Sequence, residues 1–260
     1  MLKQRVITGL SGLIIFLSIL FMMPQEFTMI SFGILFLLAG WEWANLIEAE
    51  NIRIKLTFLV ILAGLMLFVN SLAIDDESIR SLSYFSVFCW SILFFSMLFY
   101  PLNIPYSLEW LVAVVVLIQG YIAINWIYEK SAIFLLVFLS IVWVMDIGAY
   151  FIGKSFGRIK LARLISPNKT WEGLFGGVLG VTLLSIILSN YLPIDSLVFV
   201  SFAIAIGLIS VVGDLAFSML KRNANIKDSG NILPGHGGIL DRIDSILSSA
   251  PLFTLGIIFL

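Results

Sequence analysis

Nine mostly apolar runs, each close to the ~20 residues a helix needs to cross the hydrocarbon core of a bilayer, fix what this chain can become. They are Val6–Met23, Phe27–Trp41, Leu56–Ile74, Leu82–Tyr100, Trp110–Tyr128, Ser131–Gly153, Gly173–Leu192, Ser196–Gly213 and Ile243–Leu260. In lipid every backbone N–H and C=O must be bonded within the protein, and helices satisfy their own. The expected fold is therefore all-α: a polytopic integral membrane protein of about nine transmembrane helices, forming one domain over residues 1–260. Composition agrees. Hydrophobic residues make up 60% and charged residues 12% of the chain, against about 25% charged in soluble domains. No soluble fold of this size could keep so much apolar surface from water. Near-balanced charge, with 15 Lys+Arg against 16 Asp+Glu, excludes a basic nucleic-acid binder. A single cysteine, Cys89, excludes an intrachain disulfide and a Cys-based zinc site.

Lys3 and Arg5 precede the first run, as in a signal peptide. The run is too long for one, and Met22-Met23-Pro24 offers no small-residue cleavage site. It is read as a permanent helix. With the N-terminus in the cytoplasm, 13 of the 15 Lys and Arg fall on that side, leaving only Arg80 and Lys130 outside. That is the positive-inside bias expected of a cytoplasmic (inner) membrane protein. Two cytoplasmic segments stand out, Lys154–Glu172 and Asp214–Arg242. The polar chemistry is thereby concentrated at the inner face of the half spanning approximately residues 131–260.

Charges beside or within the apolar runs are the first candidates for function, because a charge in hydrocarbon is costly. Asp146 lies in the sixth run, Asp214 ends the eighth, and Asp241 and Asp244 open the ninth. A carboxylate at a helix end can also simply sit among headgroups, and Asp241 suits a helix start. The eighth run ends and the ninth begins at the same boundary, however, so Asp214, Asp241 and Asp244 are expected at one depth. Clustered anions repel unless a cation neutralises them. Oxygen donors without cysteine suit Mg²⁺, which binds a few carboxylates, water and substrate phosphates.

Between them, Lys221-Arg222 could hold a phosphate-bearing substrate or merely express the inside bias. The glycines of residues 230–238 allow backbone amides to approach an anion or make a plain turn. His236, the only histidine, is a phosphate contact or a loop residue bonded to backbone. In Ser166-Pro167-Asn168-Lys169-Thr170-Trp171-Glu172-Gly173, hydroxyls, an amide and a lysine at a helix start suit phosphate binding. Ser166 or Thr170 could equally be a helix cap. The segment lacks the P-loop pattern.

The string from Ser218-Met-Leu-Lys221-Arg222 through Lys227-Asp228-Ser-Gly230 and Leu233-Pro234-Gly-His236-Gly-Gly-Ile-Leu-Asp241-Arg242-Ile-Asp244 resembles the signature of the phosphatidate cytidylyltransferase (CDP-diacylglycerol synthase) family. Residues 166–173 resemble that family's second landmark. The resemblance implies a Mg²⁺-dependent nucleotidyltransferase of phospholipid biosynthesis that converts CTP and phosphatidate to CDP-diacylglycerol and pyrophosphate at a cytoplasm-facing membrane site. Under it, Asp214 and Asp241 are metal ligands, and Asp244 and Asp146 bind the ion or support those that do. Lys221, Arg222, His236 and Asp241 form the catalytic set. Ser166, Asn168, Lys169 and Thr170 take CTP. The competing classes are another CTP-dependent membrane lipid transferase or kinase, an ion-coupled secondary transporter and a scaffold. A transporter would show matching broken helices in its two halves, whereas here the polar features crowd into residues 146–244.

Gly173, Gly176, Gly177 and Gly180 form two overlapping small-xxx-small pairs. They predict a close helix contact, within the chain or across a homodimer.

The charge bias yields a direct test of topology. A reporter that works only after export, fused behind Leu260, is expected to be active. Activity of a cytoplasm-only reporter there would show that a span has been miscounted.

Overall fold

The computed structural model describes residues 2–48, 50–72, 74–191, 194–230, 232 and 237–259, with side chains from Ser11 onward. Among these, nine helices follow one another: α1 (Leu2–Met22), α2 (Gln25–Ile47), α3 (Ile52–Ser71), α4 (Asp76–Met97), α5 (Tyr106–Lys130), α6 (Ala132–Phe156), α7 (Trp171–Ser189), α8 (Ser196–Asn223) and α9 (Leu240–Phe259). Eight are long and apolar enough to cross a membrane, and the apolar part of α1 with described side chains is Ser11–Met22. The chain is an integral membrane protein.

The helix starts are written locally. Asn51, Asp75, Ser131, Thr170 and Asp195 each turn a side-chain oxygen onto free amides of the first turn. Pro24 and Pro105 stand just ahead of α2 and α5, where a missing N–H costs nothing. The outer faces remain apolar, with Phe175, Leu197 and Leu67 each more than 60% exposed. Such surface is stable only against lipid.

Two expected boundaries near the site move, and one segment holds strands. The second run was expected to stop at Trp41, but α2 continues to Ile47 and carries Glu42 inside the bundle at 1% exposure. The eighth was expected to end at Gly213, with residues 214–242 as a loop. Instead α8 continues to Asn223, because Leu215, Ala216, Phe217 and Met219 keep supplying a buried face. Asp214, Ser218 and Lys221 therefore lie at helical spacing on one face. The 154–172 segment holds a small antiparallel hairpin, β1 (Lys160–Ala162) and β2 (Ser166–Thr170), with Lys160 opposite Thr170 and Ala162 opposite Ser166. It is the one departure from an all-helical fold among the described residues.

The most extensive helix contact is between α6 and α7, followed by α8 with α9. The glycine stripe explains the first. A Cβ on Gly177 would stand 2.7 Å from the Met145 carbonyl oxygen, and one on Gly173 2.8 Å from that of Ala149. From the other side, a Cβ on Gly148 would stand 2.8 Å from the Gly176 carbonyl oxygen. Backbone thus lies on backbone, and the stripe faces α6 of the same chain. The central helix is α9, packed against α4, α5 and α8. Its Leu247, Ser248, Ser249, Ala250 and Thr254 are at most 1% exposed.

This packing predicts the outcome of overfilling it. Gly177→Leu with Gly180→Leu should drive α7 off α6, because added volume in a closed contact displaces backbone. The expected readout is loss of the monodisperse peak in detergent size-exclusion chromatography. A wild-type profile would mean that the contact tolerates large side chains.

Candidate active site

Several helix ends meet at one end of the bundle. The hairpin is held down on α7 by Glu172, whose carboxylate oxygens accept the Ile159 amide at 3.1 and 3.2 Å. Thr170 is the N-cap of α7, accepting from the Gly173 amide at 3.1 Å, and is 4% exposed. Its hydroxyl oxygen serves the cap as acceptor. Gly153 and Gly157 pass so close to Thr170 that a side chain at either would press on it, which seats the end of α6 against β2.

Under this hairpin is a polar cavity of about 640 Å³, lined by Asp146, Lys154, Lys160, Ser166, Asn168, Lys169, Thr170 and Asp214 among others. All four residues expected to take CTP are on its wall. Lys169 reaches across to form an ion pair with Asp214, whose other oxygen accepts from Ser218 Oγ at 3.4 Å. Asp214 also acts electrostatically on Asp146 and Asp244, and Lys169 acts on both.

Asp241 is placed differently. It receives Lys221 Nζ at 2.5 Å on one oxygen, and the amides of Ser229 at 2.9 Å and Gly238 at 3.2 Å on the other. Gly237 has φ +81, a left-handed conformation that glycine adopts at low cost. Lys221 and Arg222 do not line the polar cavity. Arg222 donates to the carbonyls of Ile165 at 3.3 Å and Ile226 at 3.1 Å, tying the hairpin turn to the end of α8. Two of its three nitrogens are thereby engaged in a structural tie. His236 lies outside the described residues.

Asp214, Asp241 and Asp244, expected at one depth, all stand at this end of the bundle, Asp241 and Asp244 on one cavity and Asp214 within electrostatic reach of Asp244. Among the described residues no three acidic, histidine or cysteine side chains are close enough to hold a single ion. Lysine ammonium groups stand on Asp214 and Asp241 instead.

A second cavity, of about 600 Å³, opens beside the first. Its walls are apolar, from Ile15, Phe16 and Ile19 of α1, Phe32 and Phe36 of α2, Leu139 and Trp143 of α6, and Ile243 and Ile246 of α9. It ends on Asp146, Asp241, Arg242 and Asp244. Asp146 lines both cavities. The pair joins a polar chamber to an apolar one across a band of carboxylates and cations.

The sequence matches the model of the cytidylyltransferase family over residues 3–260. The chain belongs to the cytidylyltransferase family. Full-length relatives carry the name phosphatidate cytidylyltransferase. The protein from Pseudomonas aeruginosa is 35% identical, covering 97% of this chain and 96% of its own. That from Haemophilus influenzae is 31% identical over 98% of both, and that from Bacillus subtilis 30% identical over 96% of this chain and 95% of its own. In this cytidylyltransferase, sequence reasoning missed Glu42. A glutamate between Trp41 and Trp43 at the end of an apolar run was a signal in itself, since a buried ionisable group in a membrane helix needs a partner.

The capped hairpin predicts a measurable cost. Thr170→Val keeps shape but removes the cap, worth about 1 kcal/mol. A fall of a few degrees in the thermal midpoint in detergent is expected for a chain of this size. An unchanged midpoint would show that the cap carries no weight.

Proposed function

We propose that the protein transfers the cytidylyl group of CTP to phosphatidate, giving CDP-diacylglycerol and pyrophosphate for phospholipid biosynthesis. The single observation that carries this reading is the pair of cavities meeting at Asp146. A polar chamber with lysines suits a nucleoside triphosphate, and an apolar one suits acyl chains. The names of the full-length relatives support the same substrates.

In the proposed reaction a phosphatidate phosphate oxygen attacks the α-phosphorus of CTP. A P–O bond forms as the bond to the β-phosphate oxygen breaks, and pyrophosphate leaves. Little covalent chemistry falls to the protein in such a transfer, so positioning and charge stabilisation dominate. Lys169, Lys154 and Lys160 present ammonium groups on the polar side. Ser166 and Asn168 on β2 add hydrogen-bonding groups along the same wall. A triphosphate entering there competes with Asp214 for Lys169 and frees that carboxylate. At the mouth of the apolar chamber, Arg242 is the cation placed to meet the lipid phosphate, beside Asp241 and its lysine partner.

The donor set fits Mg²⁺: oxygen ligands throughout, with ammonium groups already marking where cations settle on Asp214 and Asp241. Asp214 and Asp241 would hold it, with Asp146 and Asp244 in support. Because no three carboxylates converge among the described residues, water and substrate phosphates would complete the shell, as is usual for this ion. When bound, the ion stabilises charge on the transferring phosphoryl group.

We further propose that this end faces the cytoplasm, the protein lying in the inner membrane. The Lys/Arg bias supports this, and in the fold Arg80 and Lys130 stand with Glu77 and Asp76 at the opposite end.

Purified protein in detergent with labelled CTP and phosphatidate should yield CDP-diacylglycerol and pyrophosphate, and failure of the wild type would overturn the reading. Asp214→Asn and Asp241→Asn should each lower turnover by at least ~100-fold, since metal stabilisation supplies several kcal/mol in such reactions. Part of the loss should return at high Mg²⁺. Asp228→Asn should lose activity without that rescue. Near wild-type turnover in both of the first two variants would place the chemistry elsewhere.

A further inference from the structure

Glu42 is the most deeply buried carboxylate in the first half of the chain, 1% exposed on α2. Its hydrogen-bond partners lie far along the chain. Its Oε2 accepts the Ser229 hydroxyl at 3.0 Å and the Leu240 amide at 2.8 Å. The second is the first amide of α9, one of the donors that a helix start leaves without an internal partner. The backbone folds round the carboxylate. A Cβ on Gly230 would meet Glu42 and nothing nearer, and one on Gly238 would meet Glu42 and Ser229 Oγ. These two glycines therefore give room to a side chain delivered from a distant helix. The same stretch donates the Ser229 and Gly238 amides to Asp241.

We propose that Glu42 is a positioning residue: it fixes the backbone at Ser229, Gly230, Gly238 and Leu240 and so sets the place of Asp241 at the mouth of the apolar cavity. This rests on the reading of Asp241 as part of the site. The role is that of an acceptor with fixed reach. Both bonds end on Oε2, while Oε1 takes no hydrogen bond among the described residues. A glutamine can present one oxygen in the same place. An aspartate is one methylene too short, and an alanine leaves two buried donors unpaired.

None of Glu42, Ser229, Gly230, Gly238 and Leu240 lines the polar cavity, so the effect should reach turnover without reaching CTP binding. In Glu42→Ala and Glu42→Asp, kcat should fall at least tenfold while KM for CTP stays within twofold. Hydrogen–deuterium exchange over residues 228–241 should quicken at least tenfold, with the α6–α7 contact unchanged. Glu42→Gln should stay within about threefold of wild type in both measurements. Gly230→Ala should reproduce the Glu42→Ala defect in the wild-type background and add nothing in the Glu42→Ala background, because the clash then has no partner. The proposal is overturned if Glu42→Ala keeps wild-type turnover and protection. It is equally overturned if Glu42→Gln is as damaged as Glu42→Ala, or if KM for CTP and exchange across the whole chain shift together. Should the wild type itself make no CDP-diacylglycerol, the proposed reaction fails, and the exchange data with the Gly230 cycle still decide whether Glu42 shapes this segment.

Discussion

Carboxylates held inside an apolar bundle are the constraint on which the rest of this structure turns. A buried charge needs a donor or a cation for its oxygens, or it costs several kcal/mol. Three acids at the working end meet this with partners from other parts of the chain. Asp214 takes a lysine and a hydroxyl, Asp241 a lysine and two amides, and Glu42 a hydroxyl and a helix-start amide. The partners come from other helices and loops. Satisfying the acids is therefore the same act as assembling the site: pulling Lys169 to Asp214 brings the hairpin over α8, and pulling Ser229 to Glu42 brings Gly230 and Gly238 against α2.

Close helix packing makes those reaches short enough. Lysine and serine side chains cannot span a loosely packed bundle. The α6–α7 contact, backbone on backbone along Gly148, Gly173 and Gly177, puts Asp146 of α6 and the hairpin ahead of α7 on one cavity wall. Gly213 does similar work between α8 and α9. A Cβ there would press on Ser248 and on the Asp244 carbonyl, so the glycine lets α8 and α9 approach closely beside Asp214 and Asp244. Small residues in lipid thus act at a distance from the chemistry by setting how near the charges lie.

Much of this was legible in the sequence, and the exceptions share a cause. Long apolar runs and their caps announce helices because lipid leaves no other option. The motif segments at residues 166–173 and 218–244 were visible because their residue types are out of place beside apolar runs. The continuation of α8 was not, since a charge at Asp214 reads as an end when the partner Lys169 is far away in sequence. Glu42 escaped for the same reason: its partners lie nearly two hundred positions on, and a lone acid beside two tryptophans looks like a boundary. The hairpin was hidden because its strands are short and carry Pro167, which reads as loop. Arg222 was legible as a cation, but its two backbone acceptors, which decide its role, are a product of the fold.

The arrangement of charge also bears on order of events at the site. Two of the site's lysines are engaged by aspartates, Lys169 by Asp214 and Lys221 by Asp241. Such pairing keeps both partners from standing uncompensated in a low-dielectric surround. A triphosphate arriving alone would draw Lys169 away and strand Asp214 beside Asp146 and Asp244, raising the repulsion among three acids. A cation arriving alone would meet carboxylates whose positive partners are still attached. Under the proposed reaction the two would offset each other, the phosphate taking the lysine while the cation takes the carboxylate. Under that reaction, a nucleotide and its metal ion would therefore enter this charge arrangement more favourably together than singly.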